Sequence, residues 1–208
     1  MKKIVFGEQK ISIEDMELIA KKVCEIDLNR TPEFIQKINA GADFLDSMIA
    51  EHGAVYGVTT GYGDSCTKAV PADSYYVLPV NLSRFHGCGL GEYFDAETTR
   101  AIMAVRLVSL VQACSGVSFN LVEALFNLLK HDILPRIPQE GSVGASGDLT
   151  PLSYIVAALI GERDVVLNGT VMPAADALHT CGLKEITLRP KEALAIMNGT
   201  AAMTGVAC

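Results

Sequence analysis

Residues Gly141 to Tyr154 read GSVGASGDLTPLSY, a glycine-rich turn that runs straight into an apolar helical pattern. Small or flexible residues surround Ala145-Ser146-Gly147, and glycine offers the least hindered backbone nucleophile. A turn tight enough to bring the Gly147 nitrogen to the Ala145 carbonyl carbon could close a five-membered ring with loss of water. Loss of the Ser146 hydroxyl as a second water would leave an imidazolone bearing an exocyclic methylene, which is an electrophile. No standard side chain is one, so such a ring would be a cofactor made from the backbone itself. Thr150-Pro151 reads as an N-cap followed by proline at the first helical position, opening a helix that Gly161 ends. The tripeptide then lies just ahead of a helix N-terminus, where amide groups and the helix dipole favour negative charge on the ring oxygen.

A glycine- and serine-rich run is most often a plain turn. Two other motifs fail on particular residues. A phosphate-binding loop ends in Gly-Lys-Ser/Thr, and no lysine lies between Lys130 and Lys184. A hydrolase elbow needs glycine where Asp148 stands, which also removes a hydrolase built on Ser146 and one of the four histidines. What raises the run above a generic loop is that GSVGASGDLTPLSY resembles, without a gap, the signature of the aromatic amino acid ammonia-lyases. This is the histidine and phenylalanine ammonia-lyase family, whose members carry a methylidene-imidazolone (MIO) group. Tyr56 to Gly63, YGVTTGYG, resembles the family's YGxxTGFG loop with Tyr62 in place of phenylalanine. Phe85-His86-Gly87-Cys88-Gly89 resembles the segment lining the substrate side-chain pocket. Arg189-Pro190-Lys191-Glu192 through Asn198-Gly199-Thr200 resembles the PKEGLALINGT run, with Ala193 in place of a common glycine. The likeness covers the chain from about Glu51 onward, and residues 1–50 add a compatible helical pattern.

The resemblance implies a mainly α structure, the helical N-terminal domain of the ammonia-lyase (aspartase/fumarase-like) fold with a long irregular loop and a small hairpin. It implies an MIO cofactor formed autocatalytically from Ala145-Ser146-Gly147. It further implies Tyr56 as an acid/base, Asn198 in contact with the imidazolone or the substrate carboxylate, and Phe85 and His86 against the substrate side chain. Each residue also has a plain structural reading. A lone tyrosine in a glycine-rich loop packs, and an isolated histidine in apolar surroundings is a satisfied core residue. An asparagine on an apolar helix face bonds a neighbouring helix, because an unpartnered amide there is costly. Asp148 either caps the following helix or assists cyclisation, and Arg84, Asp64 and Glu92 read as surface or structural charges. Histidine-specific members of the family show Ser-His at the pocket pair, tyrosine-specific ones His-Leu and phenylalanine-specific ones Phe-Leu. Phe85-His86 is mixed. His86 favours conversion of L-histidine to urocanate; a phenylalanine or tyrosine lyase and an MIO-dependent aminomutase stay open. So does a different class, a non-catalytic helical assembly module that keeps the turn merely as a turn.

The chain has 208 residues, half of them apolar, which is rich for one independent domain. Ala201 to Cys208 continue an apolar helical pattern without a polar cap. The resemblance, which matches only the N-terminal part of longer family members, implies that residues 1–208 are an N-terminal, catalytic-loop-bearing domain of a longer chain, the alternative being a short paralogue; it further implies a homotetramer with a pocket gathered from several subunits. A net charge of −7 with scattered basic residues argues against nucleic acid or an anionic membrane as partner and favours a soluble acidic enzyme; a small-molecule amino acid as substrate is what the resemblance implies. The Ile4-Val5-Phe6-Gly7 run is too short for a signal-peptide core and no run approaches a membrane span, so a cytoplasmic protein is expected. Six cysteines without a C-x-x-C suggest neither a metal site nor a disulfide framework, but reduced thiols that mostly fill the core.

Periodicity and capping residues predict the elements. Ser12-Ile13-Glu14-Asp15 is a capping box for a helix burying Ile13, Met16, Ile19, Ala20 and Val23. Thr31-Pro32 opens a second helix to about Glu51, with Phe34, Ile35, Ile38, Ala42, Leu45, Met48 and Ile49 inward. His52 to Pro79 has no period and reads as a functional loop. Asp95 caps a helix to about Ser115, and Ser118 another ending near Pro135. Val165 to Val171 forms a hairpin about Asn168-Gly169, and Pro190 begins a long apolar helix that holds Asn198.

Overall fold

A computed structural model describes residues 1–144 and 146–208, apart from the His52 side chain. The chain starts with β1 (Lys3–Phe6), α1 (Ile13–Ala20) and β2 (Glu25–Leu28), the strands pairing in parallel from Lys3 opposite Glu25 to Phe6 opposite Leu28. Neither strand is expected from periodicity, because four residues are too few to establish an alternation. The capping box is present: Ser12 Oγ accepts from the Asp15 amide and the Asp15 carboxylate accepts from the Ser12 amide. Ile13 and Val23, expected inside, are exposed. Val23 lies beyond the helix, where Lys22 takes a left-handed conformation and the Val23 amide bonds back to the Leu18 carbonyl.

Thr31 Oγ1 accepts from the Phe34 amide to start α2 (Pro32–His52), which buries Phe34, Ile38, Ala42 and Leu45 and leaves Ile35, Met48 and Ile49 half-buried. The irregular region that follows contains two short 3-10 turns, Gly63–Thr67 and Ala72–Ser74, and ends earlier than expected at α3 (Val77–His86). Next come β3 (Leu90–Tyr93), α4 (Ala96–Leu110) and α5 (Phe119–Lys130), with the Asp95 and Ser118 caps in place. Both helices stop short of the expected ends. Ala113 and Gly116 after α4, and Asp132 after α5, adopt positive φ values that a helix cannot continue through.

The chain continues through β4 (Leu134–Pro135), β5 (Pro138–Glu140), which pairs with β3, and α6 (Leu149–Leu159). The expected hairpin forms from β6 (Asp164–Leu167) and β7 (Thr170–Pro173), turning at Asn168 and Gly169, both at positive φ, with β4 as a third strand. Three helices close the chain: α7 (Ala174–Thr180), α8 (Glu192–Met197) and α9 (Ala201–Ala207). Helix α6 is central, with every residue from Thr150 to Leu159 buried, as befits a helix apolar on all sides.

Two expectations around α6 are corrected. Thr150 and Pro151 lie inside its first turn rather than at the cap, since the helix begins at Leu149. Proline is accepted there because first-turn amides need no intrahelical partner. The single long helix expected after Pro190 is broken at Asn198-Gly199-Thr200, where Asn198 is extended. All six cysteines are free thiols, as expected, but Cys24 and Cys181 are half-buried and the other four exposed, so they are not core filler. Among the described residues no helix is long and apolar enough to cross a membrane.

Candidate active site

The signature turn lies between β5 and α6. The Gly144 amide donates to the Gly147 carbonyl (3.2 Å) and the Gly147 amide to the Gly144 carbonyl (2.8 Å), closing the chain on itself. Ala145 lies outside the described residues. Gly147 is at φ 91°, and a Cβ there would fall 2.6 Å from both the nitrogen and the oxygen of Gly199, so only glycine fits. The Asp148 amide donates to the Gly199 carbonyl at 2.7 Å, fastening the turn to the α8–α9 break. The Asp148 carboxylate is not the cap of α6. It accepts from the Met203 amide (2.8 Å) and so serves the first turn of α9.

The helix break explains Asn198. Instead of lying on an apolar helix face, it stands exposed at the end of α8, and its Nδ2 donates to the Ser146 carbonyl at 2.6 Å. In the ring that closure would generate, the Ser146 carbonyl is the ring carbonyl, so the amide already addresses that oxygen.

Tyr56 belongs to a loop tied down by its own threonines. The Val55 amide donates to Thr59 Oγ1 (2.7 Å) and the Gly57 amide to Thr60 Oγ1 (3.3 Å). Tyr56 is 54% exposed, its hydroxyl accepting from the Gly63 amide at 3.1 Å and its ring meeting Tyr62 edge-on at 6.3 Å. The Tyr62 ring covers Gly57, where a Cβ would lie 2.6 Å from Cε1. Burial, with Tyr56 adding to it, pushes the Tyr62 phenol up to about 12, so it stays protonated; its oxygen has no partner among the described residues.

Phe85 and His86 are the last two residues of α3, with ring centroids 5.1 Å apart. His86 Nδ1 lies 3.0 Å from the Leu82 carbonyl, which can only accept. Nδ1 therefore carries a proton, which leaves Nε2 as the acceptor of the neutral tautomer. Phe85 is 80% exposed, at the rim. The end of α3 is held by α6 and its neighbours: Ser83 Oγ donates to the Ser153 carbonyl (3.0 Å), the Gly89 amide to the Tyr154 hydroxyl (3.2 Å) and Arg163 to the Gly87 carbonyl (2.7 Å). The tail of GSVGASGDLTPLSY thus positions the pocket pair.

Tyr56, Phe85, His86, Ser146 and Asn198 converge on one cleft of about 450 Å³. Gly147 is turned away against Gly199. Sequence reasoning missed Asn81 and Leu194 in the lining and gave Tyr62 no role beyond a mild substitution. It also passed over Arg106, whose signal is a lone cation in the apolar run Ala101 to Leu110. Arg84 pairs with Glu162, a structural ion pair as expected.

A model of the aromatic amino acid lyases matches residues 11–208. The chain belongs to the aromatic amino acid lyase family. The chain is 37% identical over 203 residues to a histidine ammonia-lyase of Shouchella clausii, spanning 98% of its own length but 40% of that relative's. Its structure matches ergothionase from Treponema denticola with a TM-score of 0.91 at 31% identity, over 99% of this chain and 41% of the other. It matches Pantoea agglomerans phenylalanine aminomutase with a TM-score of 0.90 at 32% identity, over 99% and 39%. The helical lyase fold implied by the signature is therefore the fold of this chain.

Proposed function

We propose that residues 1–208 are the N-terminal, turn-bearing domain of a longer ammonia-lyase subunit that eliminates ammonia from an aromatic L-amino acid, L-histidine to urocanate first. The subunit works as a cytoplasmic homotetramer, through an MIO group formed from Ala145-Ser146-Gly147. The observation that carries this reading is the Asn198 amide on the Ser146 carbonyl, in a cleft that Tyr56, Phe85 and His86 also line. The described part of the turn fits the group, since Gly147 has no room for a side chain and its amide points back along the turn.

The group supplies an electron-poor alkene that draws electron density from the substrate and eases departure of the ammonium. Asn198 stabilises charge on the ring oxygen, as preorganised donors do. Tyr56, oriented by the Gly63 amide, exchanges the substrate β-proton. His86 presents Nε2 to the N–H of an imidazole ring, and Phe85 packs against the ring face. An MIO-dependent aminomutase is the second reading, favoured by the likeness to the Pantoea enzyme; the same residues would then return the amine to the β-carbon.

The test is a panel of L-histidine, L-tyrosine and L-phenylalanine against the complete assembled protein, following urocanate or cinnamate by absorbance together with ammonia and β-amino acid. Urocanate and ammonia from histidine are expected. A β-amino acid product would move the assignment to an aminomutase, and no turnover of any of the three would overturn it.

A further inference from the structure

Arg106 lies in the middle of α4 and is only 4% exposed. Its Nε and Nη2 have no hydrogen-bond partner among the described residues, and Nη1 reaches the Ala195 carbonyl only at 3.5 Å. A buried guanidinium with so few bonds needs a compensating charge. That charge is Asp148, itself 2% exposed, which opposes the downward pull of burial on the guanidinium. The two groups are linked through one residue. A Cβ on Gly199 would run into Arg106 Nη2, so the guanidinium rests on the Gly199 backbone. Gly199 also abuts Gly147, and its carbonyl accepts the Asp148 amide. Gly199 therefore touches both the buried cation and the residue whose nitrogen must attack.

We propose that Arg106 is a positioning residue for ring closure at Ser146: it backs the Gly199 backbone, against which Gly147 lies and whose carbonyl accepts the Asp148 amide. The inference rests on the MIO reading above. In the step it assists, the Gly147 nitrogen forms a bond to the Ala145 carbonyl carbon, whose oxygen leaves as water. The Ser146 Cα proton and hydroxyl then leave as a second water, and no oxidant or reductant is required. Compression of the turn is what raises the effective concentration of the nitrogen at that carbon.

The experiment is made on the complete assembled protein carrying Arg106→Ala or Arg106→Lys. The mass of the peptide containing Ser146 is followed with time after synthesis, with melting temperature in parallel. Wild type is expected to lose both waters, about 36 Da. Arg106→Ala should lose them at least about tenfold more slowly, and added millimolar guanidinium should restore the rate. Arg106→Lys keeps the charge without the planar fork, and slower processing is expected at the wild-type melting temperature. Processing of either variant at the wild-type rate overturns the role of Arg106 and leaves the MIO reading standing. So does slowing of Arg106→Ala that follows its unfolded fraction and is indifferent to guanidinium. An unmodified wild-type peptide would instead overturn the MIO reading, and this inference with it.

Discussion

Asn198 bonds the Ser146 carbonyl because α8 ends one residue earlier, and that single donor concentrates the chemistry of the cleft. On the proposed reading, replacing Asn198 by alanine removes one donor from the ring oxygen, and kcat is expected to fall by about 10²–10³ with a smaller change in KM. Tyr56→Phe keeps the edge contact with Tyr62 but removes the exchangeable proton, for an expected loss of about 10²–10⁴ in kcat. Gly147→Ala forces a Cβ into the Gly199 backbone; steady-state assay and peptide mass should show neither turnover nor loss of water. At this scale the sequence was informative about identity and poor about surroundings. Tyr56, Phe85, His86, Ser146 and Asn198 were all named from motif resemblance, and they meet in one cleft. Arg106 stands out only as a lone cation in an apolar run, and neither its contact with Gly199 nor the carboxylate contact of Asp148 with Met203 is legible, because both depend on segments that come together only in three dimensions.

Element boundaries follow local chemistry where a side chain caps its own helix, as at Ser12, Thr31, Asp95 and Ser118. They escape it where tertiary contacts decide. The apolar run after Pro190 is helical by pattern, yet it breaks so that Gly199 can receive Gly147 and Asp148. Helix α3 carries Phe85 and His86 but has no side-chain cap to mark its start and holds Pro79 in its first turn, and β1 and β2 are stabilised by pairing with each other. Packing of α9 on α4 requires Gly205, where a Cβ would come 2.6 Å from the Ile102 nitrogen. Gly205→Val is expected to cost about 1–3 kcal/mol in urea denaturation. Arg100 joins α4 to Asp132, two residues beyond α5, by an ion pair, and to the end of α1 through the Ala20 carbonyl. Burial pushes the Asp132 carboxyl up, but hydrogen bonds from Arg100 and Lys22 bring it below the usual carboxylate range. A group depressed on folding stabilises above its unfolded value and loses that contribution as pH falls through the folded one. The urea midpoint is therefore expected to drop below about pH 4. Arg100→Met leaves Asp132 its ion pair with Lys22, so it should destabilise at neutral pH by about 1.5–3 kcal/mol and flatten the acid limb.

At the scale of the molecule, the chain spans 40% of the histidine ammonia-lyase it matches over 203 residues. The cleft is open, with Phe85 at its rim and Tyr56 more than half exposed. Completing a pocket that excludes water requires further protein, so these 208 residues alone are expected to give no urocanate from histidine under conditions where the complete assembly turns over. Robust turnover by the isolated chain would show that the cleft needs nothing more. The most direct test of the electrophile is the mass of the proteolytic peptide containing Ser146, taken from the complete, natively assembled protein. A mass about 36 Da below that of the encoded sequence is expected, matching loss of two waters; the unaltered mass would contradict a backbone-derived electrophile in this enzyme.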